Sequence, residues 1–220
     1  MNSEPLRIPL INSNTATSDL TQEPGRTLPY AYQGLLMCAE VVNFCWSRTE
    51  NTPTLTRLPL ATRWCVLLEK LEGWYNHRPG ELLPLVELHP GQAPGCINKS
   101  FPIISFSTAA GIFANQLHHT AMLLLLLHRP RSLRQQSTPW HTSTLWHSER
   151  VCGIALSNSR RECWDPCLLA SLLLAARRMT HDSQQQALSE GFDRIQKLTG
   201  IQINETVDAL RSSWSYSTGI

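Results

Sequence analysis

The stretch Ala110–His128 constrains this chain more than any other part of it. Read as a helix, it places Phe113, Leu117 and Leu124 on one side and Leu123, Leu125 and Leu126 on the others, so its second half is apolar all round. A helix without a polar face has no side to turn to water, and is expected in the middle of the fold. Its strictly apolar run, Ala121–Leu127, falls far short of the ~20 residues that a bilayer span requires, as does Leu172–Ala176. The expectation is therefore a core helix of a soluble protein, with no membrane partner.

Around this helix the apolar residues recur at helical spacing. Leu35, Ala39, Val42 and Trp46 lie four, three and four residues apart and predict a helix over Tyr32–Ser47 whose inward stripe they form. Pro59 opens a second helix, striped by Leu60, Trp64, Leu67, Leu68, Leu71, Trp74 and Tyr75 and closed before Arg78-Pro79. His89–Ser100 carries Pro90-Gly91 and Pro94-Gly95 and is expected to be loop, and Pro102 makes Phe101–Phe106 a poor strand. After a polar loop over Arg129–Pro139, a helix is expected at Trp140–Ser157. Asp165-Pro166, an N-cap followed by a first-turn proline, opens Cys167–Met179, which Arg177 and Arg178 close at the negative end of the helix dipole. Asp182 with Gln185 reads as a capping box for a helix that stops at Gly200, and Asn204 caps the last helix, with Val207, Leu210 and Trp214 inward. Half of the first 28 residues are Asn, Ser, Thr, Pro or Gly without period. The organisation expected is all-α, an irregular bundle of about seven helices over residues 30–216, behind a disordered leader over residues 1–29.

Charge excludes some functions. The net charge is +2, with 19 Lys and Arg against 17 Asp and Glu. The basic residues are scattered, and Arg129, Arg131 and Arg134 lack the interleaved aromatics of a nucleic-acid groove. Direct DNA contact is not expected. Seven cysteines at 38, 45, 65, 96, 152, 163 and 167 follow no secretory signal and read as reduced, buried thiols. Cys163 and Cys167 have no second close pair to complete a zinc site.

No Gly-x-Ser-x-Gly elbow, Ser-x-x-Lys pair, His-Glu-x-x-His motif or phosphate-cradling glycine loop occurs, so neither a catalytic residue nor a cofactor or metal site is assigned. His118 and His119, about 100° apart around a helix, cannot both serve one metal through the same face. Asn115, His118 and His119 are nonetheless polar groups in an apolar wall, and they form the candidate ligand-binding pocket. Tryptophans 46, 64, 74, 140, 146, 164 and 214 read mainly as core packing.

Several segments together resemble a known family. Trp74-Tyr75-Asn76-His77-Arg78-Pro79 with Glu81-Leu82 is similar to the Trp-Tyr-x-x-Arg-Pro segment of the fungal-specific transcription factor domain, the regulatory region of six-cysteine zinc-cluster activators. Phe101–Phe106, Ala114–Ala121, His128–Arg131, Val151–Ala155 and Thr199-Gly200 follow in that family's order over roughly residues 30–215. The sequence departs from the family in having no Cys-x2-Cys pair, and so no DNA-reading zinc cluster. The resemblance implies a nuclear, all-helical regulatory domain that senses a small-molecule effector or contacts the transcription machinery or a DNA-binding homologue. The alternatives are a free-standing helical small-molecule binder or enzyme unrelated to DNA, and a truncated remnant.

Overall fold

Every segment with helical spacing becomes a helix, and their order is set by α3. The computed structural model describes residues 27–46, 58–90, 100–133, 143–158, 160–161 and 164–217. Within them run α1 (Thr27–Trp46), α2 (Leu60–Asn76), a 3-10 turn (Gly80–Leu82), β1 (Val86–Leu88), β2 (Ile103–Ser105), α3 (Ala109–Leu127), α4 (Thr144–Ser157), α5 (Pro166–Ala176), α6 (Asp182–Thr199) and α7 (Asn204–Ser217). The fold is all-α in its mass, with one short antiparallel ladder pairing Val86 with Ser105 and Leu88 with Ile103.

α3 is long and apolar enough to cross a membrane by length and composition, but 83% of that window is buried inside the fold. Its sides are divided among three apolar clusters. Leu117, Ala121, Met122, Leu124 and Leu125 join α1 and α2, whereas Leu123 joins α4, α5, α6 and α7. Ile112 sits between them with Ile104, Phe106, Ile154 and Leu168. The all-round apolar surface of α3 is thus used on every side.

Caps follow local chemistry. Thr108 Oγ1 accepts the Gly111 amide at 3.0 Å, and the Asp165 carboxylate accepts the Leu168 amide at 2.9 Å, which stops α5 and α3 fraying where they meet other elements. Gly200 closes α6 at φ 76°, the left-handed conformation a glycine adopts without strain. The expected capping box at Asp182 does not form. His181 is the N-cap, its carbonyl takes the Gln184 and Gln185 amides, and the Gln185 side chain donates instead to the Met179 carbonyl.

Three further expectations need correction. First, Phe101–Phe106 does contain a strand, because Pro102 lies just before Ile103 and removes no donor from the ladder. The side chains of Ser157 and Asn158 complete it from α4: Ser157 Oγ accepts the Ile104 amide, and Asn158 bonds both the Phe106 amide and the Ile104 carbonyl. Second, α1 is turned over relative to the sequence reading. Ala31, Gly34, Met37, Cys38 and Val41 face inward, and Ala39, Val42 and Trp46 face out. Small residues win the inner face because they let α1 lie close: a Cβ at Gly34 would stand 3.2 Å from the Trp74 ring. Third, Cys167 is exposed and Cys45 and Cys65 are only half-buried, whereas Cys38 and Cys152 are buried as expected. Burial pushes the Cys38 thiol up to about 12, and Cys152 higher still.

Helix bounds shift modestly elsewhere. α5 ends at Ala176, not Met179, and the turn through Arg177 and Arg178 is closed by the Met179 amide on the Ala176 carbonyl. α4 starts at Thr144; Trp140–Thr142, with His141, lie outside the described residues. So do Cys96, Cys163, Arg134, most of the loop at His89–Ser100, and the expected leader apart from its last three residues, which form the first turn of α1.

Candidate functional site

The three polar residues singled out on α3 do come together, and they bring partners from three other elements. Asn115 is 1% exposed and fully engaged. Its amide nitrogen donates to the Leu82 and Gly111 carbonyls, each at 2.7 Å, and its oxygen accepts from Arg78 Nη1. Arg78, just past the end of α2, also donates through Nε to the Tyr75 carbonyl and lies flat over the Tyr75 ring, 3.4 Å from its centroid. Burial draws the Arg78 guanidinium below its ordinary value, with Tyr75 opposing that pull.

The 100° step between neighbouring helix positions sends the two histidines to different company. His118 enters a stack, its ring 4.5 Å from Tyr75 and 5.4 Å from Trp74, near-parallel to both. Its Nδ1 is buried without a hydrogen-bond partner. His119 turns toward α4, with Nδ1 2.9 Å from His147 Nδ1 and Nε2 3.0 Å from Arg150 Nε. Arg150 continues the chain to the Glu87 carboxylate on β1 and, at 3.5 Å, to the Tyr75 hydroxyl.

These contacts fix the protons. Arg150 Nε–H can only donate, so His119 Nε2 must be the bare, accepting nitrogen. The His119 proton therefore sits on Nδ1 and is given to His147, whose Nδ1 must in turn be bare. The His119 ring is thereby held neutral. Burial, and then the nearby positive groups, push His118 and His119 well below the ordinary histidine range, in agreement with the donor count. Burial alone would raise the Glu87 carboxyl, but the hydrogen bond and charge of Arg150 outweigh it and hold it below the usual value. Burial likewise works against the Arg150 charge, and Tyr75 and Glu87 outweigh it and hold the guanidinium above its ordinary value.

Chemically this is a polar network inside an apolar wall, with every Asn115 and His119 polar atom paired and His118 Nδ1 left without a partner. His119 has no nitrogen left to ligate a metal, and among the described residues no group of three or more His, Cys, Asp and Glu side chains could hold one. Two surface cavities lie elsewhere. One of about 320 Å³ is bounded by Leu28, Tyr32, Ala109, Phe113, Asp165 and Leu168, where α1, α3 and α5 begin. Another, of about 410 Å³, lies between the end of α5 and α7. The expected pocket residues are joined in a buried junction and line neither of these two cavities.

Sequence reasoning missed Arg78, Glu87, His147 and Arg150 as partners of that junction. One signal was present: His147 and Arg150 stand three apart, on the same side of α4 as buried Val151 and Ile154. A charge on an apolar stripe demands a buried partner. Glu87, 63 residues away, carries no local sign of being that partner.

Comparison of the chain with protein families, with characterised proteins and with solved structures gives no match.

Proposed function

We propose that this chain is a helical regulatory domain of transcription, acting in the nucleus through protein contacts or a small-molecule effector, with no DNA contact and no catalysis of its own. The observation that supports this reading is the link from Arg78 to Asn115. It joins two of the segments that resemble the fungal-specific transcription factor domain, Trp74–Pro79 and Ala114–Ala121. A third such segment is fitted to a fourth: Gly153 on α4 meets the Pro102 carbonyl so closely that a Cβ would stand 2.3 Å from its oxygen. Residues shared with a regulatory family here serve one another, as expected where the shared motif specifies a fold that presents its surface to partners. Regulation then follows from differential binding: a partner or effector that prefers one arrangement of the helices shifts the population toward it, by about 1.4 kcal/mol for each tenfold preference.

The test is a tethered reporter. The full chain, fused to a heterologous DNA-binding domain, should change reporter output several-fold relative to that domain alone. Arg78→Ala, which releases Asn115, should return it to baseline at equal nuclear protein level. A stable, nuclear fusion whose reporter output matches the DNA-binding domain alone overturns the reading.

A further inference from the structure

The outward face of α1 carries the same stripe that the sequence suggests for its inward face. Leu28, Tyr32, Leu35, Ala39, Val42 and Trp46 follow one another at steps of 4, 3, 4, 3 and 4. That is an uninterrupted a/d heptad seam, the pattern of a helix facing another helix. Yet the side of α1 that meets α3 is the opposite one, through Ala31, Gly34, Cys38 and Val41. Most of the seam is left at the surface: Leu28 is 74% exposed, Tyr32 58% and Trp46 59%, while Leu35 is half-buried against the cluster of α1, α2 and α3 and the Trp46 ring meets His128 edge-on. Polar Gln33 and Glu40 border it, with Glu40 paired to Lys70 of α2.

We propose that this seam pairs with the same seam of a second copy of the chain, the two α1 helices lying antiparallel across a two-fold axis. Three observations select this occupant and this direction. The seam carries no charge along its length, so nothing on it would select an oppositely charged partner, and an apolar heptad stripe is complementary to itself. Its residues differ in size along the helix, and the antiparallel register sets larger ones against smaller ones. Antiparallel pairing sets Tyr32 against the partner copy's Val42, Leu35 against its Ala39, and Leu28 against its Trp46. A parallel register would stack tryptophan on tryptophan and leave facing alanines with a void. The cavity of about 320 Å³ opens beside Leu28 and Tyr32, where the antiparallel register delivers the other copy's Trp46, and its Phe113, Ala109 and Leu168 walls suit an indole. The exposed part of the seam amounts to on the order of 600 Å² per copy, which brings the pair to the lower end of stable interfaces.

The experiment uses the full chain in analytical ultracentrifugation across a hundredfold range of concentration. Wild type should sediment as a dimer at micromolar concentration. Tyr32→Lys and Val42→Glu, both at exposed positions, should each weaken self-association at least tenfold, with far-UV circular dichroism and a cooperative melt unchanged. An equimolar mixture of the two variants should recover the dimer, because residue 32 of one copy meets residue 42 of the other. Should either variant fail to fold, Leu36→Glu on the border of the seam replaces it as the disrupting change. A wild type that stays monomeric throughout, whether its seam is bare or covered by another part of this chain, overturns the proposal. So does a dimer insensitive to the seam variants, and a mixture that remains monomeric overturns the antiparallel register.

Discussion

The two apolar clusters on either side of α3 are built by different means. The one formed with α4, α5, α6 and α7 is almost wholly aliphatic and aromatic, with Leu172, Ala175, Leu188 and Phe192 fully buried. The one formed with α1 and α2 is bordered by the polar junction of Arg78, Asn115, His118, His119 and Arg150, and is tied by indole-to-backbone bonds. A cluster of the first kind resists unfolding mainly through volume, and its apolar side chains add no pH dependence of their own between pH 5.5 and pH 7.5. A junction of the second kind adds specificity, because each polar group has few acceptable partners, and it makes stability depend on proton concentration. The largest effect that separates them is Phe192→Ala. Removing this fully buried ring leaves a cavity worth about 3–5 kcal/mol. The same loss is expected at pH 7.5 and pH 5.5 in urea unfolding, and a pH-dependent loss would break the distinction.

Arg150→Met makes the matching cut on the other side. Arg150 is 4% exposed, and its removal strips the donor from His119 Nε2 and the partner from Glu87. Loss of one member of a buried ion pair costs about 3–5 kcal/mol, but Glu87 keeps 32% of its side chain in water, so about 2–4 kcal/mol is expected. Because the folded Glu87 carboxyl lies below its ordinary value, the pair's contribution is present above the unfolded carboxylate range near 4.3 and is lost as pH falls through the folded value. The Arg150→Met deficit should therefore shrink in strong acid. A constant deficit from pH 7.5 to pH 3 would show that Arg150 acts by packing alone.

The histidines titrate in a higher window. In the folded chain His118 and His119 stay neutral far below the ordinary histidine value, whereas the unfolded chain takes up protons below about 6.5. The unfolded state then binds more protons, so stability falls as pH drops below that point, by about 1.4 kcal/mol for each histidine at pH 5.5. Together they are expected to cost about 2–3 kcal/mol between pH 7.5 and pH 5.5, read from denaturation midpoints. Phe192→Ala should keep this slope intact. A double change of both histidines to Gln should flatten it, and persistence of the slope would place its origin outside the junction.

Much of this layout was legible in the residues, and what was hidden has physical reasons. The unbroken apolar girth of α3 required a central helix, and Asp165-Pro166 and Gly200 marked ends that the backbone honours. For α1 the period gave a helix but not its orientation, since the helix has two apolar faces and only packing against Trp74 and α3 selects the one with Gly34. β1 and β2 are three residues each, too short for alternation to register, and their pairing spans a long connection. At the junction, Asn115, His118 and His119 stood out as polar residues in an apolar setting. Arg150 left one sign, a charge on the apolar side of α4, whereas Glu87 left none, because the contact that neutralises a buried charge is a property of the folded chain and follows no spacing rule in the sequence.

The finest difference between the two sides lies in a matched pair of tryptophans. Trp64 donates its indole N–H to the Leu125 carbonyl at 2.7 Å, and Trp214 donates to the Ala176 carbonyl at 3.1 Å. Both acceptors are in the last turn of a helix, where carbonyls lack an amide from the next turn. The Ala176 carbonyl has a second donor, the Met179 amide at 3.1 Å. The Leu125 carbonyl has no such relief, since the Arg129 amide that would complete the turn bonds Leu126 instead. Replacing either indole by phenyl removes similar volume, so the cavity contributions roughly cancel in a comparison of Trp64→Phe with Trp214→Phe. What remains is an unsatisfied buried acceptor on the α2 side only, which costs about 1 kcal/mol or slightly more. Trp64→Phe should thus be the more destabilising of the two by about that amount in paired urea titrations at pH 7.5. Equal losses would mean that the α1–α2 side gains nothing from its backbone ties that the aliphatic side does not obtain from packing.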